Sequence, residues 1–453
     1  MKSAALLLFT LAPLAAHAQA PSLTGRWIVN TDFYGTPRLY TLHLTQQSDK
    51  LTGDFGSDKL EGTFTGNTLT FHTKDEEGGT EDVKATLTKG TLSGSIHEVH
   101  PGEENHPLDY TFTAILVPQR PTAAPQRHEF VPTVYYRSFS PFNKPVLTVN
   151  PGDTIHTTTV DAGGNDSNSI KRVAGGNPQT GPFYIQSAAP GDTLVVHINR
   201  LRLNRATAGS DDGMVQSALN SDLAVKMKDV GRSITWNLDR ANGTASPVQP
   251  TPKPGATATT NHLANYKIPL VPMLGCIATA PGPSNSPPPT GDSGNWGGNM
   301  DFNEIIEGAT IYLPVSNPGA LLYLGDAHAA QGDGELNGNA LETSMDVEFT
   351  VDVIPAKRIS AVRVESPTHI MATAYSGSLD DAFKDATANM AQWLEQDYSL
   401  TPSEIAQILG SSAEYRVSEV ADRNSGIVLK LSKARLANLI KTPPTPPEIP
   451  KPS

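Results

Sequence analysis

From residue 23 to about 117 the chain keeps a two-residue alternation of apolar and polar side chains, and that period dictates strands, not helices. The segments 40–45, 60–65, 68–73, 83–88 and 110–116 each set one inward residue against one outward residue. Asp49-Lys-Leu-Thr-Gly53, Thr65-Gly-Asn67 and Thr88-Lys-Gly90 lie between them as turns. The pattern predicts an antiparallel meander closing into a small barrel or sandwich. Glu98, His100, Glu103, Glu104 and His106 read as a polar loop, and no acid–base pair or metal-ligand spacing occurs in this module. It is expected to bind or position something and not to catalyse.

Composition sharpens this. A length of 453 residues calls for two or three domains. With 38 glycines and 37 prolines, many short strands and tight turns are favoured over long helices. A net charge of −12 argues against binding nucleic acid or anionic lipid through bulk electrostatics. One cysteine excludes an intrachain disulfide and any multi-cysteine metal site. Residues 1–20 read as a secretory signal peptide: Lys2, an apolar run over 4–16, then Ala16-His17-Ala18 or Ala18-Gln19-Ala20 before the cut. That run is too short to span a bilayer, and no later stretch approaches twenty apolar residues. The expectation is an exported protein, periplasmic or extracellular, with no membrane insertion; self-association into a homo-oligomer is left open.

The module spans 21–117 and a proline-stiffened linker follows at 118–127. The main body, 128–440, stays β-rich to about 355. Pro-Gly-Asp turns at 151–153 and 190–192 each launch an alternating strand, while 247–260 and 281–298 are loop by composition. Helices are expected at 378–397, capped by Ser378, and at 401–410, opened by the capping box Thr401-Pro-Ser-Glu404. A proline-rich tail occupies 441–453.

The densest chemistry is Gly325-Asp-Ala-His-Ala-Ala-Gln-Gly-Asp-Gly-Glu335, directly after the apolar run 320–324. Asp326 and His328 stand two apart and share a face on a continuing strand, and Asp333 and Glu335 are expected to do likewise. Oxygen and imidazole donors of this kind suit a divalent cation, zinc first, with manganese and calcium as alternatives. Metal-free acid–base chemistry, or plain turns around a satisfied histidine, are the competing readings. Asn299 and Asp301, Asp161 with Asn165 and Asp166, and Glu342 are further pieces able to converge. Cys276 lies in an apolar stretch where a thiol packs.

Gly181-Pro-Phe-Tyr-Ile185, Ala189-Pro-Gly-Asp-Thr-Leu194, Gly297-Gly-Asn-Met-Asp301, the 325–335 run and Glu342-Thr343, in that order, resemble the acetamidase/formamidase family over about 127–431. The N-terminal module and the tail lie outside the family pattern. The resemblance implies a β-rich domain with C-terminal helices that hydrolyses a small aliphatic amide to carboxylate and ammonia. It also implies that Asp161, Asp301, Asp326, His328, Asp333, Glu335 and Glu342 occupy the family's polar pocket. The expected roles are metal binding by His328, Asp326, Asp161 and Asp333, and proton transfer by Glu335, Glu342 and Asp333. Asn299, Asp301 and Gln179 are the expected substrate contacts, Asn299 as an oxyanion donor. Gln179 stands where many members carry a histidine, and the insert around 281–291 is expected to reshape the pocket mouth. Two alternatives are an exported binding module without turnover and a cysteine amidase using Cys276.

Overall fold

The computed structural model describes residues 22–227, 230–248, 262–282 and 286–439. The leader expected at 1–20, the tail at 441–453 and most of the loop at 247–260 lie outside the described residues. Two compact units account for the chain.

The first is a closed eight-stranded barrel. Its strands are β1 (Gly25–Phe33), β2 (Thr36–Gln47), β3 (Lys50–Phe55), β4 (Asp58–Thr65), β5 (Thr68–Lys74), β6 (Thr80–Thr88), β7 (Thr91–Val99) and β8 (Leu108–Leu116). From β2 to β8 each pairs antiparallel with the next, in unbroken register. Every second residue of β5 and β6 points inward. Leu42, Leu51, Leu69, Leu92 and Ile96 fill the interior, each contributing about 1.5–3 kcal/mol of hydrophobic stabilisation. Gly53 and Gly94 interrupt the alternation in β3 and β7, which hides those two strands in the sequence. Glu98 pairs with His100 at 3.0 Å and accepts from the Tyr110 hydroxyl. Among the described residues, the groups able to hold an ion all lie in the other unit.

The second unit is built on an eleven-stranded and a nine-stranded sheet. Met345–Ile354, in the smaller sheet, buries every second residue, and its Val347, Phe349 and Val351 face a core shared with Phe183, Leu274, Ile277, Leu322 and Leu324 of the larger sheet. Phe183 and Phe349 meet edge to face, centroids 5.5 Å apart. Two central strands of the larger sheet, Met273–Thr279 and Leu322–His328, are buried at every position. Phe139, Cys276 and Tyr323 belong to a smaller core of their own. Such strands read as apolar runs, as Met273–Thr279 does throughout and Leu322–His328 does in its first half.

The stretch expected to be mostly linker reaches the smaller sheet, where Arg127–Glu129 pairs with Thr154–Thr158 and Arg120 pairs with Asp352 at 2.6 Å. Strands also continue past 355. Arg363–Glu365, His369–Ser376, Glu414–Val417 and Ser425–Ser432 complete the smaller sheet around the two expected helices. A short helix, α1 (Ser221–Lys226), precedes those helices. In α2 (Leu379–Tyr398) the Ser378 side chain caps the Asp381 N–H, and Ala382, Ala386, Met390, Trp393 and Leu394 pack on the sheet. The capping box of Thr401 and Glu404 opens α3 (Pro402–Ser412).

Candidate active site

The strand Leu322–His328 pairs on one side with Met273–Thr279 and on the other with Glu342–Thr343. His328 lies directly opposite Glu342 in the second pairing, so their side chains are cross-strand neighbours. The His328 Nε2 is 3.2 Å from Glu342 Oε1 and 3.6 Å from Asp326 Oδ1, and its Nδ1 is 3.8 Å from Asp301 Oδ1. The loop after His328 then bends back. Gly334 bridges to Glu419, which brings the turn between the last two strands of the smaller sheet to the same place. Asp301, Asp326, His328, Glu335, Glu342, Glu419 and Asp422 therefore form overlapping groups whose ligand atoms lie within 4.8 Å of one another.

Glycine makes room for this crowding. A Cβ at Gly275 would stand 2.4 Å from Asp301 Oδ1 and 2.6 Å from Asp326 Oδ2. One at Gly325 would stand 2.6 Å from Gln179 Oε1. Asp301, Asp326 and Glu335 all hold positive φ, at 41°, 55° and 46°, a conformation that costs non-glycine residues about 1–3 kcal/mol each.

A fixed amide sets the histidine tautomer. Gln331 donates through Nε2 to the carbonyl oxygens of Asp301 and Ser418, so its Oε1 faces His328 Nδ1 at 2.9 Å. Nδ1 carries the proton in that arrangement, and Nε2 is turned toward the carboxylates.

Burial dominates the electrostatics. It raises the Asp301 and Glu335 carboxyls well above the usual range; Glu335 and Asp326 add to the rise at Asp301, while His328 opposes it at Glu335. Burial, reinforced by Asp326 and opposed by His328, lifts Glu342 to about 7. Burial and Asp422 lift Glu419 to about 8. For His328 burial pushes downward, but Glu342 and Asp326 outweigh it and hold the imidazolium form well above its ordinary range.

Three buried carboxylate oxygens of the cluster have no hydrogen-bond partner: Asp301 Oδ1, Asp326 Oδ1 and Glu342 Oε2. Orphaned carboxylate oxygens gathered around one imidazole, over a cradle that a single Cβ would fill, fit a divalent cation. The donor set, oxygen-rich with one nitrogen, accepts zinc, manganese or calcium alike.

Other expected residues fall elsewhere. Asp333 does not share a face with Glu335, because the segment is a loop and not a strand. Its carboxylate is exposed, accepts from Asn303 and is paired to Arg416, whose guanidinium holds it below the usual range against the opposing effect of burial. Asp161 is neutralised by Arg205 at 2.8 Å and accepts from the Asn165 N–H. It lies on the wall of an open cavity of about 420 Å³ that also reaches Glu342. Asn299 is not available as an oxyanion donor, since its Nδ2 donates to Asp301 and Asp422 and its Oδ1 accepts from Asn177. Gln179 is fully buried with Nε2 donated to Asn177, which leaves its Oε1 unpartnered. Cys276 is sealed in, and burial with the Asp326 charge drives its thiol well up, so it is no nucleophile. Sequence reasoning passed over Glu419 and Asp422, which sit far along the chain in an ordinary turn, and gave Gln331 no role.

The region 288–422, which holds all seven residues of the cluster, matches the model of the Acetamidase/Formamidase family. Two curated relatives align over short stretches: a candidate formamidase of Schizosaccharomyces pombe, 35% identical over 75 residues, and an acetamidase of Mycolicibacterium smegmatis, 42% identical over 59. These stretches cover 16% and 13% of this chain and only 18% and 14% of the relatives. Solved structures extend the likeness. A predicted acetamidase/formamidase from Thermoanaerobacter tengcongensis is 25% identical with a TM-score of 0.59, over 70% of this chain and 99% of that one. An acetamidase from Bacillus halodurans is 26% identical with a TM-score of 0.57, over 69% and 99%. Residues 288–422 thus match the Acetamidase/Formamidase family model, and over about 70% of its length the chain is similar to solved acetamidase/formamidase structures.

Proposed function

We propose that the chain is an exported hydrolase that cleaves the C–N bond of a small linear amide, releasing carboxylate and ammonia. The observation that carries this reading is the buried cluster of Asp301, Asp326, His328, Glu335 and Glu342, opened to solvent through the cavity that Glu342 lines. Export rests on the leader-like composition of residues 1–20.

Amide hydrolysis needs an activated water, a stabilised oxyanion and a protonated leaving nitrogen. Asp301, Asp326 and His328 would hold a divalent cation, which when bound supplies Lewis acidity toward the carbonyl oxygen and the attacking water. Glu342, with its carboxyl near neutrality, accepts a proton from water as the oxygen attacks and returns it to nitrogen as the C–N bond breaks. The unpartnered Gln179 Oε1 is an acceptor suited to an amide N–H of the substrate. Arg205 keeps the Asp161 charge from repelling the carboxylate product at the mouth.

The test is ammonia release from a panel of short amides by the mature protein, as isolated, after chelation, and after return of zinc, manganese or calcium. Turnover lost on chelation and restored by one ion is expected. No release from any amide would overturn the hydrolase reading, and turnover indifferent to chelator would remove the cation from it.

A further inference from the structure

Away from the acidic cluster, a second cavity of about 150 Å³ lies under α2, walled by Ile354, Ile359, Ile370 and Trp393 and lined by Arg363, with Glu365 and Asp397 on the same wall. Arg363 is 3% exposed. Its Nη2 donates to Gln392 and Gln396, which are neutral acceptors, and its Nη1 has no partner at all. The carboxylates around it are already spoken for. Asp397 is paired with Lys357 at 2.6 Å and accepts from the Trp393 indole at 3.0 Å. Glu365 is paired with Lys433 at 2.6 Å and accepts from the Tyr312 hydroxyl at 2.9 Å. Two lysines thus balance two carboxylates; the Asp397 charge still supports the guanidinium from a distance, but no carboxylate pairs with it directly. Burial pushes it down to about 10. The Arg363 guanidinium also lies 5.1 Å from the Trp393 ring centroid, which fixes its plane.

A buried cation with no directly paired counter-ion is a costly arrangement for a fold, and a small anion seated on it in the cavity lowers that cost. The free Nη1 offers two N–H donors, and the isoleucine and tryptophan walls, with Glu365 and Asp397 beside them, exclude a heavily hydrated dianion. We propose that this cavity is a binding site for a short aliphatic monocarboxylate, its carboxylate on Arg363 and its alkyl group against the isoleucines. The site stands on its own geometry. On the amide-hydrolase reading, its occupant is the reaction's own product.

The test is thermal unfolding of the full chain against rising acetate or propionate, with chloride and inorganic phosphate as controls at matched ionic strength. Acetate and propionate are expected to raise the midpoint in a saturable way, by roughly a few degrees, and the controls are not. Arg363→Gln should abolish the shift, and Ile359→Phe, which fills the cavity and keeps the charge, should weaken or abolish it. Glu342→Gln should retain it. No carboxylate-specific shift in the wild type, or a shift that survives Ile359→Phe undiminished, overturns the proposal. So does loss of the shift in Glu342→Gln, which would put the carboxylate in the acidic cluster. Because binding is read without turnover, failure here is distinct from failure of the amidase assay.

Discussion

A methyl group at position 275 would occupy the space where the Asp301 and Asp326 carboxylates approach the backbone of the neighbouring strand. Neither carboxylate can retreat, since both residues are held at positive φ and Asp301 accepts from Asn299. Gly275→Ala is therefore expected to lose bound metal and at least about a hundredfold in amidase rate, as displacements on the ångström scale do. Metal analysis beside a rate assay checks this, and unchanged values for both would remove the cradle from the site. Glu342→Gln should keep the metal and lose roughly 10²–10⁴ in kcat. Retained kcat would transfer the proton to another group. These residues differ in how far the sequence alone points to them. His328, Asp326 and Glu342 were legible because two lie on one strand and the third opens the next paired strand. Glu335 and Asp333 looked equivalent, yet a loop turns one inward and hands the other to Arg416. Glu419 and Asp422 reach the site only through the bridge from Gly334, a tertiary contact that no local pattern announces.

The loop that follows His328 is an element whose position is set from outside. Arg416, on the strand Glu414–Val417, binds Asp333 and Glu304, and Lys430 binds Glu304 in turn. Because Arg416 and Asp333 are partly exposed, losing their pair should change global stability by no more than about 1 kcal/mol. Arg416→Ala is nonetheless expected to lower kcat severalfold with metal content unchanged, because Glu335 and Glu419 share that loop contact. Asp333→Asn should do less, since it keeps a hydrogen bond to Arg416. A metal-depleted Asp333→Asn protein would instead restore Asp333 as a ligand. The helix α2 answers to ordinary packing. Leu394 is fully buried against the sheet, and Leu394→Ala should cost about 2–5 kcal/mol in denaturant unfolding. Both helices were legible from caps and apolar spacing. The strands at Arg363–Glu365 and Ser425–Ser432 were not, because buried on both faces they show no period to read.

For the molecule as a whole, the cluster is a concentration of buried charge that a cation and protons compete to neutralise. With metal removed, protons must do it. The Asp301, Glu335, Glu342 and Glu419 carboxyls all sit above their ordinary range, the last two at about 7 and about 8. Each native group then keeps a proton over a pH interval in which the unfolded chain has released it. Its contribution is complete below the ordinary carboxylate pKa of about 4 and is lost as pH rises through the raised value. His328, also raised, acts in the same direction. The chelated protein should therefore lose stability as pH climbs from about 5 to about 8.5. A bound cation reverses the sign, because it takes ionised carboxylates and releases their protons, so its stabilisation grows with pH. The two unfolding curves, with metal and with chelator, are expected to lie close together near pH 5 and to separate steadily toward pH 8.5. Superimposed curves throughout would mean that no cation occupies the cluster. A chelated protein that gained stability with pH would mean that these carboxyls are ionised in the fold, held by partners other than metal.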